Sequence, residues 1–121
     1  MKFNGMKHNE VYLKHILDEI TFLLKSTEKL DYNSFVESEM YTRAFSRSFE
    51  IIGEAVKNLS TEFRKIHKDI EWKKISGMRD KIIHQYFNID YELLWDVIKN
   101  KLPGIKEKIQ MLLNDYNETD R

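Results

Sequence analysis

Four glycines and one proline in 121 residues leave this chain few places to turn. Glycine supplies the backbone angles that tight turns need, and proline interrupts helices. A chain poor in both favours a few long elements over many short ones. The spacing of its apolar residues makes those elements helices. Val11, Leu13, Ile16, Leu17, Ile20, Leu23 and Leu24 recur at three- and four-residue intervals. With Asn9 as a candidate N-cap, they predict a first helix from about Asn9 to Lys29.

The stretch Leu30 to Ser38 clusters Asp, Asn and Ser, and reads as a turn. A second helix opens at Ser38 or Glu39 and carries Met40, Ala44, Phe45, Phe49, Ile52, Ala55, Val56 and Leu59. Ser60 caps a short helix to about His67. Another starts near Glu71, carries Trp72, Ile75, Met78, Ile82 and Ile83, and fails around Tyr86 to Ile89. Asp90 caps the last, which breaks or kinks between Lys101 and Gly104 at Pro103. Its apolar stripe runs on to Leu113, and the tail after Asp115 is polar and frayed. No strand-period segment is apparent. The expected fold is all-α: an antiparallel bundle of four main helices plus one short one. It forms a single domain over 1–121, with an ordered core of about 7–113.

Composition narrows the class. The hydrophobic fraction, 41%, is enough for a core, and the charged fraction, 33%, suits helices with solvated faces. Seven Phe, six Tyr and two Trp at zero net charge exclude a disordered chain. No cysteine is present, which removes disulfides, thiolate metal sites and a cysteine nucleophile. No signal-peptide pattern or apolar run of about 20 residues occurs. A cytoplasmic protein without a membrane span is expected.

Zero net charge argues against a general nucleic-acid binder. The charge is unevenly placed, however. Residues 61–86 carry seven basic and four acidic side chains, while 31–60 and 87–121 are each net acidic. On charge alone, a solvated helix face is the plainer account of such a segment.

Several chemistries lack their residues. There is no phosphate-cradling Gly-x-x-x-x-Gly-Lys or Gly-x-Gly-x-x-Gly, no His-Glu-x-x-His and no Gly-x-Ser-x-Gly. His8 and His15 stand about 10 Å apart along a helix, too far to share an ion. No metal site is expected. What remains is Ser76 to Phe87, where Arg79, His84 and Tyr86 combine a fixed cation, a proton carrier and a phenol. A histidine can take a proton from a ribose 2′-hydroxyl or give one to a leaving 5′-oxygen. An arginine fork stabilises charge building on a phosphate.

Helix geometry limits this idea. Residues five apart differ by about 140° around the axis, so Arg79 and His84 would not share a face. Asp80 and His84, four apart, would. A joint site therefore needs the helix to deform or end near His84, or a dimer that brings two copies of the motif together. The plain alternative is a surface arginine and a histidine at a helix C-terminus, where the dipole favours its cation.

The ordered residues resemble a known family. Arg79-Asp-Lys-Ile-Ile-His84-Gln-Tyr86 is similar to the Arg-polar-x-x-x-His signature of HEPN domains, and the His-x-Tyr extension resembles the HepT-like toxin family. Arg43 to Ala55, the Trp72-x-x-Ile75-x-Gly77-Met78 lead-in and Asp90 to Pro103 extend the likeness to about Lys7–Leu113. Two departures stand out: Glu71 where the family often has proline, and Gln85 where it often has glycine. Neither removes a functional group.

The resemblance implies a metal-independent ribonuclease toxin, needing no cofactor of its own, with its site in a homodimer cleft. It implies a partner, an MntA-type minimal nucleotidyltransferase antitoxin that uses ATP and Mg²⁺, with higher assembly as an option. That antitoxin would silence the toxin by placing AMP on Tyr86. By the same carry-over Arg79 binds the scissile phosphate and His84 is the general acid or base. Asp80 orients His84, or is simply an exposed charge. Lys73, Lys74 and Lys81 are candidate RNA-phosphate contacts. Arg43, Arg47, Glu50 and Glu54 read as a salt-bridge ladder within the bundle or between subunits. The competing expectations are a non-catalytic HEPN binding subunit of a nucleotidyltransferase complex and a purely structural helical dimer.

Overall fold

A computed structural model describes the backbone of residues 2–85 and 88–119 and the side chains of 8–85 and 88–116. Its elements run α1 (Lys2–Thr27), α2 (Tyr32–Glu37), α3 (Glu39–Asn58), α4 (Thr61–Ile66), α5 (Trp72–Ile82), β1 (Ile83–Gln85), β2 (Asn88–Ile89), α6 (Tyr91–Asn100) and α7 (Leu102–Thr119). The fold is all-α apart from the small ribbon β1–β2. α3 is central and packs on α1 and α5, while α1 also packs on α7, and α6 on α7.

The core is one cluster running from Leu13 to Leu113. It draws on α1 (Ile16, Ile20, Leu23), α3 (Phe45, Phe49, Ile52), α5 (Ile75, Ile82), α6 (Leu94, Ile98) and α7 (Ile109). Those of α1, α3 and α5 are residues whose helical spacing marked an inward stripe, although Val11 and Met40 of the same stripes are exposed. No helix among the described residues is long and apolar enough to cross a membrane.

The predicted caps at Ser60 and Asp90 hold, and of the two expected openings, Ser38 and Glu39, Ser38 is the cap. Ser38 Oγ accepts from the Tyr41 amide, Ser60 Oγ from Phe63 and an Asp90 carboxylate oxygen from Leu93, each at 3.1 Å. The break at Pro103 holds too. α6 stops at Asn100 and α7 restarts at Leu102, placing the proline in a first turn, where its missing amide costs nothing.

Four expectations need correction. The stretch 30–38 contains a helix, α2. Its turn-like Asp31 is the N-cap, accepting from the Ser34 amide at 2.7 Å, and Phe35 is driven inward to stack on Phe45 and Trp95, each at 5.3 Å. The bundle therefore carries two short helices, α2 and α4, rather than one. Asn9 caps nothing: α1 begins at Lys2, and Asn9 lies buried within it. Its Oδ1 accepts from the Ser60 amide at 3.0 Å, and its Nδ2 donates to Ser60 Oγ at 3.3 Å, tying α1 to the start of α4. Finally, α5 ends at Ile82 and the chain goes on as a strand. β1 pairs antiparallel with β2, Ile83 opposite Ile89 and Gln85 opposite Asn88. The strands are too short to show a period in the sequence. At the other end α7 runs to Thr119, past the expected limit at Asp115.

Candidate active site

Arg79 sits in the last turn of α5, where α5 crosses α3 closely. Gly53 makes that approach possible: a β-carbon there would stand 3.3 Å from Arg79 Cβ and 3.6 Å from the Ser76 carbonyl oxygen. An isolated glycine inside a 20-residue helix costs about 1 kcal/mol relative to alanine. That cost was the signal in the sequence that something must come close.

Two carboxylates flank the Arg79 guanidinium. Asp80 lies 3.4 Å from one terminal nitrogen and Glu50 of α3 lies 3.9 Å from the other. The first is a long hydrogen bond and the second an ion pair without one. Arg79 and Glu50 are 38% and 40% exposed, so neither pairing locks the side chain, and both leave the fork reachable from solvent. Arg47, Glu50, Gly53, Glu54, Lys57, Ser76, Arg79 and Asp80 together line a small cleft of about 230 Å³.

His84 is set by backbone. The Ile83 amide donates to the Arg79 carbonyl and ends α5. The Asp90 amide donates to the Ile82 carbonyl at 2.8 Å and holds the return of the chain against that end. Ile82 and Ile83 are both buried, and His84 is exposed. Side chains alternate along a strand, so burial of Ile83 turns His84 outward. The angular objection to pairing Arg79 with His84 thus falls away, because the helix on which it rested ends between them.

The same ending removes the helical premise for Asp80. Asp80 and His84 no longer share a helix turn, and Asp80 accepts instead from Arg79. The salt-bridge ladder expected on α3 is found in part, within the bundle. Arg43 pairs one turn back with Glu39 at 2.6 Å, and Glu50 reaches across to Arg79. Tyr86 lies outside the described residues. Among those described, no three His, Asp or Glu side chains gather as a metal-ligand set.

The lysines point elsewhere. On α5, Lys73, Lys74 and Lys81 share the face of Gly77, roughly opposite that of Arg79 at about 100° per residue. They line a separate groove with Arg64, Lys65 and Lys68 beside α4, three cations that belong to no motif. Glu71 enters the same groove and binds Lys74 at 2.6 Å. The Lys74 ammonium, through that hydrogen bond and its charge, holds the Glu71 carboxyl below its ordinary range.

The sequence model of the family described as Ribonuclease HepT-like matches residues 16–112. A protein of Caldanaerobacter subterraneus subsp. tengcongensis, named “putative RNase”, is 45% identical over 108 residues, which cover 89% of this chain and 96% of that protein. One of Methanocaldococcus jannaschii, also named “putative RNase”, is 36% identical and covers 85% and 94%. A “probable ribonuclease HepT” of Thermococcus cleftensis is 36% identical and covers 84% and 92%. No solved structure matches the chain.

Proposed function

Because this chain belongs to the HepT-like ribonuclease family, we propose that it is a metal-independent endoribonuclease toxin that cuts RNA with Arg79 and His84 in a homodimer cleft. The observation that carries this reading is the end of α5 between the two residues. A half-exposed arginine on the last helical turn and an exposed histidine on the following strand are both anchored by backbone, and they are no longer bound to opposite helix faces.

The chemistry follows from the side chains. The Arg79 fork binds two non-bridging oxygens of the scissile phosphate, displacing the loose contacts with Asp80 and Glu50. As the 2′-oxygen attacks phosphorus, charge builds on those oxygens and the guanidinium stabilises it. The 2′-hydroxyl proton passes to one imidazole, and the bond from phosphorus to the 5′-oxygen breaks. A proton from a second imidazole then completes the leaving 5′-hydroxyl, and a 2′,3′-cyclic phosphate remains. One chain supplies one His84, and a symmetric dimer supplies the pair.

Regulation in this reading runs through Tyr86. An MntA-type nucleotidyltransferase antitoxin, with ATP and Mg²⁺, would join the Tyr86 oxygen to the α-phosphorus of ATP and release pyrophosphate. The added phosphate and adenosine would compete for Arg79 and repel RNA. Toxin and antitoxin would form a cytoplasmic complex.

The test is RNA cleavage by the unmodified protein in EDTA. Parent protein should produce fragments with cyclic-phosphate ends, and His84→Ala should lose at least about 10²-fold in rate. A His84→Ala variant that cuts like its parent would overturn the reading. Absence of cleavage by an unmodified, folded parent would favour the binding-subunit alternative. Incubation with a cognate nucleotidyltransferase and ATP should add one or more adenylyl groups, mapped by mass spectrometry to Tyr86.

A further inference from the structure

The groove between α4 and α5 has no role in the chemistry above, yet its make-up is specific. It is an open channel of about 940 Å³ lined by six cations, Arg64, Lys65, Lys68, Lys73, Lys74 and Lys81. A single carboxylate, Glu71, enters it, and that one is already matched by Lys74. The other five cations make no ion pair among the described residues. Arg64 Nε is buried with no hydrogen-bond partner among them. A protein with zero net charge has thus gathered nearly a third of its basic side chains, six of 20, on one face.

The floor is as informative as the walls. Ile70 and Trp72 are almost fully buried beneath the lysines. Gly77 lies on the same face, and a β-carbon there would meet no atom within 4 Å. Packing therefore does not require glycine at 77, in contrast to Gly53. What the missing side chain does is keep the channel open.

We propose that this groove is a second RNA site, a track that holds the phosphate backbone of a single strand outside the cleavage cleft. This rests on the ribonuclease reading for the choice of RNA over other polyanions. Charge complementarity to a phosphate chain supplies affinity without base recognition, as along other single-strand channels. Continuity with the cleavage site is built into α5. Lys81 lies in its last turn, three residues before His84, so the groove, on the face of α5 away from Arg79, reaches the helix end from which β1 departs. The track would add binding for long RNA and contribute nothing to a substrate too short to span it.

The experiment uses the full-length protein and two variants, Lys65→Gln/Lys68→Gln and Gly77→Leu. The first removes two cations that lie outside the cleavage cleft. The second fills the channel at unchanged charge and with improved helix propensity. Binding of a 20-nucleotide single-stranded RNA is measured in a His84→Ala background across a salt series. Cleavage of a dinucleotide is measured with His84 intact. The lysine variant should bind the long RNA roughly tenfold or more weaker near 0.1 M salt, with its log–log salt slope reduced by about 1.4. Gly77→Leu should weaken binding with the slope little changed. Dinucleotide cleavage should match the parent in both.

Unchanged long-RNA affinity and slope would overturn the track. So would a parallel fall in dinucleotide cleavage, or a parent that binds no RNA. Loss of binding to poly-glutamate with RNA binding intact would assign the groove to an acidic protein and also overturn it. A parent that binds RNA through these lysines but never cuts it would instead remove the ribonuclease reading and leave the track standing.

Discussion

Gly53 and Arg79 meet so closely that a β-carbon at residue 53 would stand 3.3 Å from Arg79 Cβ, a contact accepted only if α5 yields by a few tenths of an ångström. The position of the arginine is therefore written partly in another helix. Gly53→Ala gains about 1 kcal/mol of helix propensity and must shift α5 by a few tenths of an ångström. Its melting temperature should stay within a few degrees of the parent, while RNA cleavage falls several-fold. Gly53→Val adds two more carbons to the same contact. It should lose about 10²-fold in activity, because small displacements of a positioned group are costly. Parental cleavage rates in a folded Gly53→Val protein would show that this contact does not set the site.

Arg79 is asked for geometry as well as charge. Its fork lies between Asp80 at 3.4 Å and Glu50 at 3.9 Å, both loose enough to yield to a phosphate. Lysine keeps the charge and loses the planar pair of donors. Arg79→Lys should cut RNA about 10²-fold more slowly. The loosely paired, partly exposed Arg79 contributes little to stability, so the melting temperature should hold. Near-parental cleavage by Arg79→Lys would reduce the residue to a point charge.

Asn9 and Ser60 form a reciprocal pair, 51 residues apart in sequence. Asn9→Ala leaves the part-buried Ser60 amide without its acceptor, a loss of about 1 kcal/mol. Ser60→Ala removes the α4 cap and the acceptor for Asn9 Nδ2, costing about 1 kcal/mol or more. Because both changes break the same pair, the double variant should lose clearly less than the sum of the two. Chemical denaturation measures all three. Strict additivity would mean that the pair is a bystander.

These cases show which features the sequence makes legible. The long helices are readable because burial imposes a repeat of 3.6, and Leu13, Phe45 and Ile98 obey it. The caps at Ser38, Ser60 and Asp90 are readable because each is a local event between a side chain and an amide three residues on. Arg79 and His84 stand out by residue type. What lies between them does not, since two short strands carry no period and the turn from helix to strand depends on amides held by Arg79 and Ile82. Asn9 misleads for the opposite reason: a residue type that caps locally can also bond at long range. The basic stretch 61–86 is legible as charge, but its groove is not, because the cations come from α4, the turn after it and α5, and only the fold brings them to one face.

His67 carries the last prediction. It shares a 2.7 Å hydrogen bond with the Tyr116 hydroxyl, and its carbonyl accepts from Trp72 Nε1 at 2.9 Å. Burial pushes its pKa below the ordinary 6.5, and the nearby Asp69 and Asp115 oppose that shift only in part. The folded protein therefore prefers the neutral imidazole. Above pH 6.5 the ring is neutral in folded and unfolded chains alike, so His67 adds no pH dependence there. Below it the unfolded chain takes up a proton that the folded chain resists, and stability falls until the folded pKa is also passed. The fall belongs on the acid side of 6.5, and raising the pH should restore the loss. His67→Gln keeps a polar partner for Tyr116 and cannot titrate. Its melting temperature should drop less than the parent's between pH 7 and pH 5.5, while His8, His15 and His84 act equally in both proteins. Parallel melting curves across that window would show that the proton on His67 is not linked to folding.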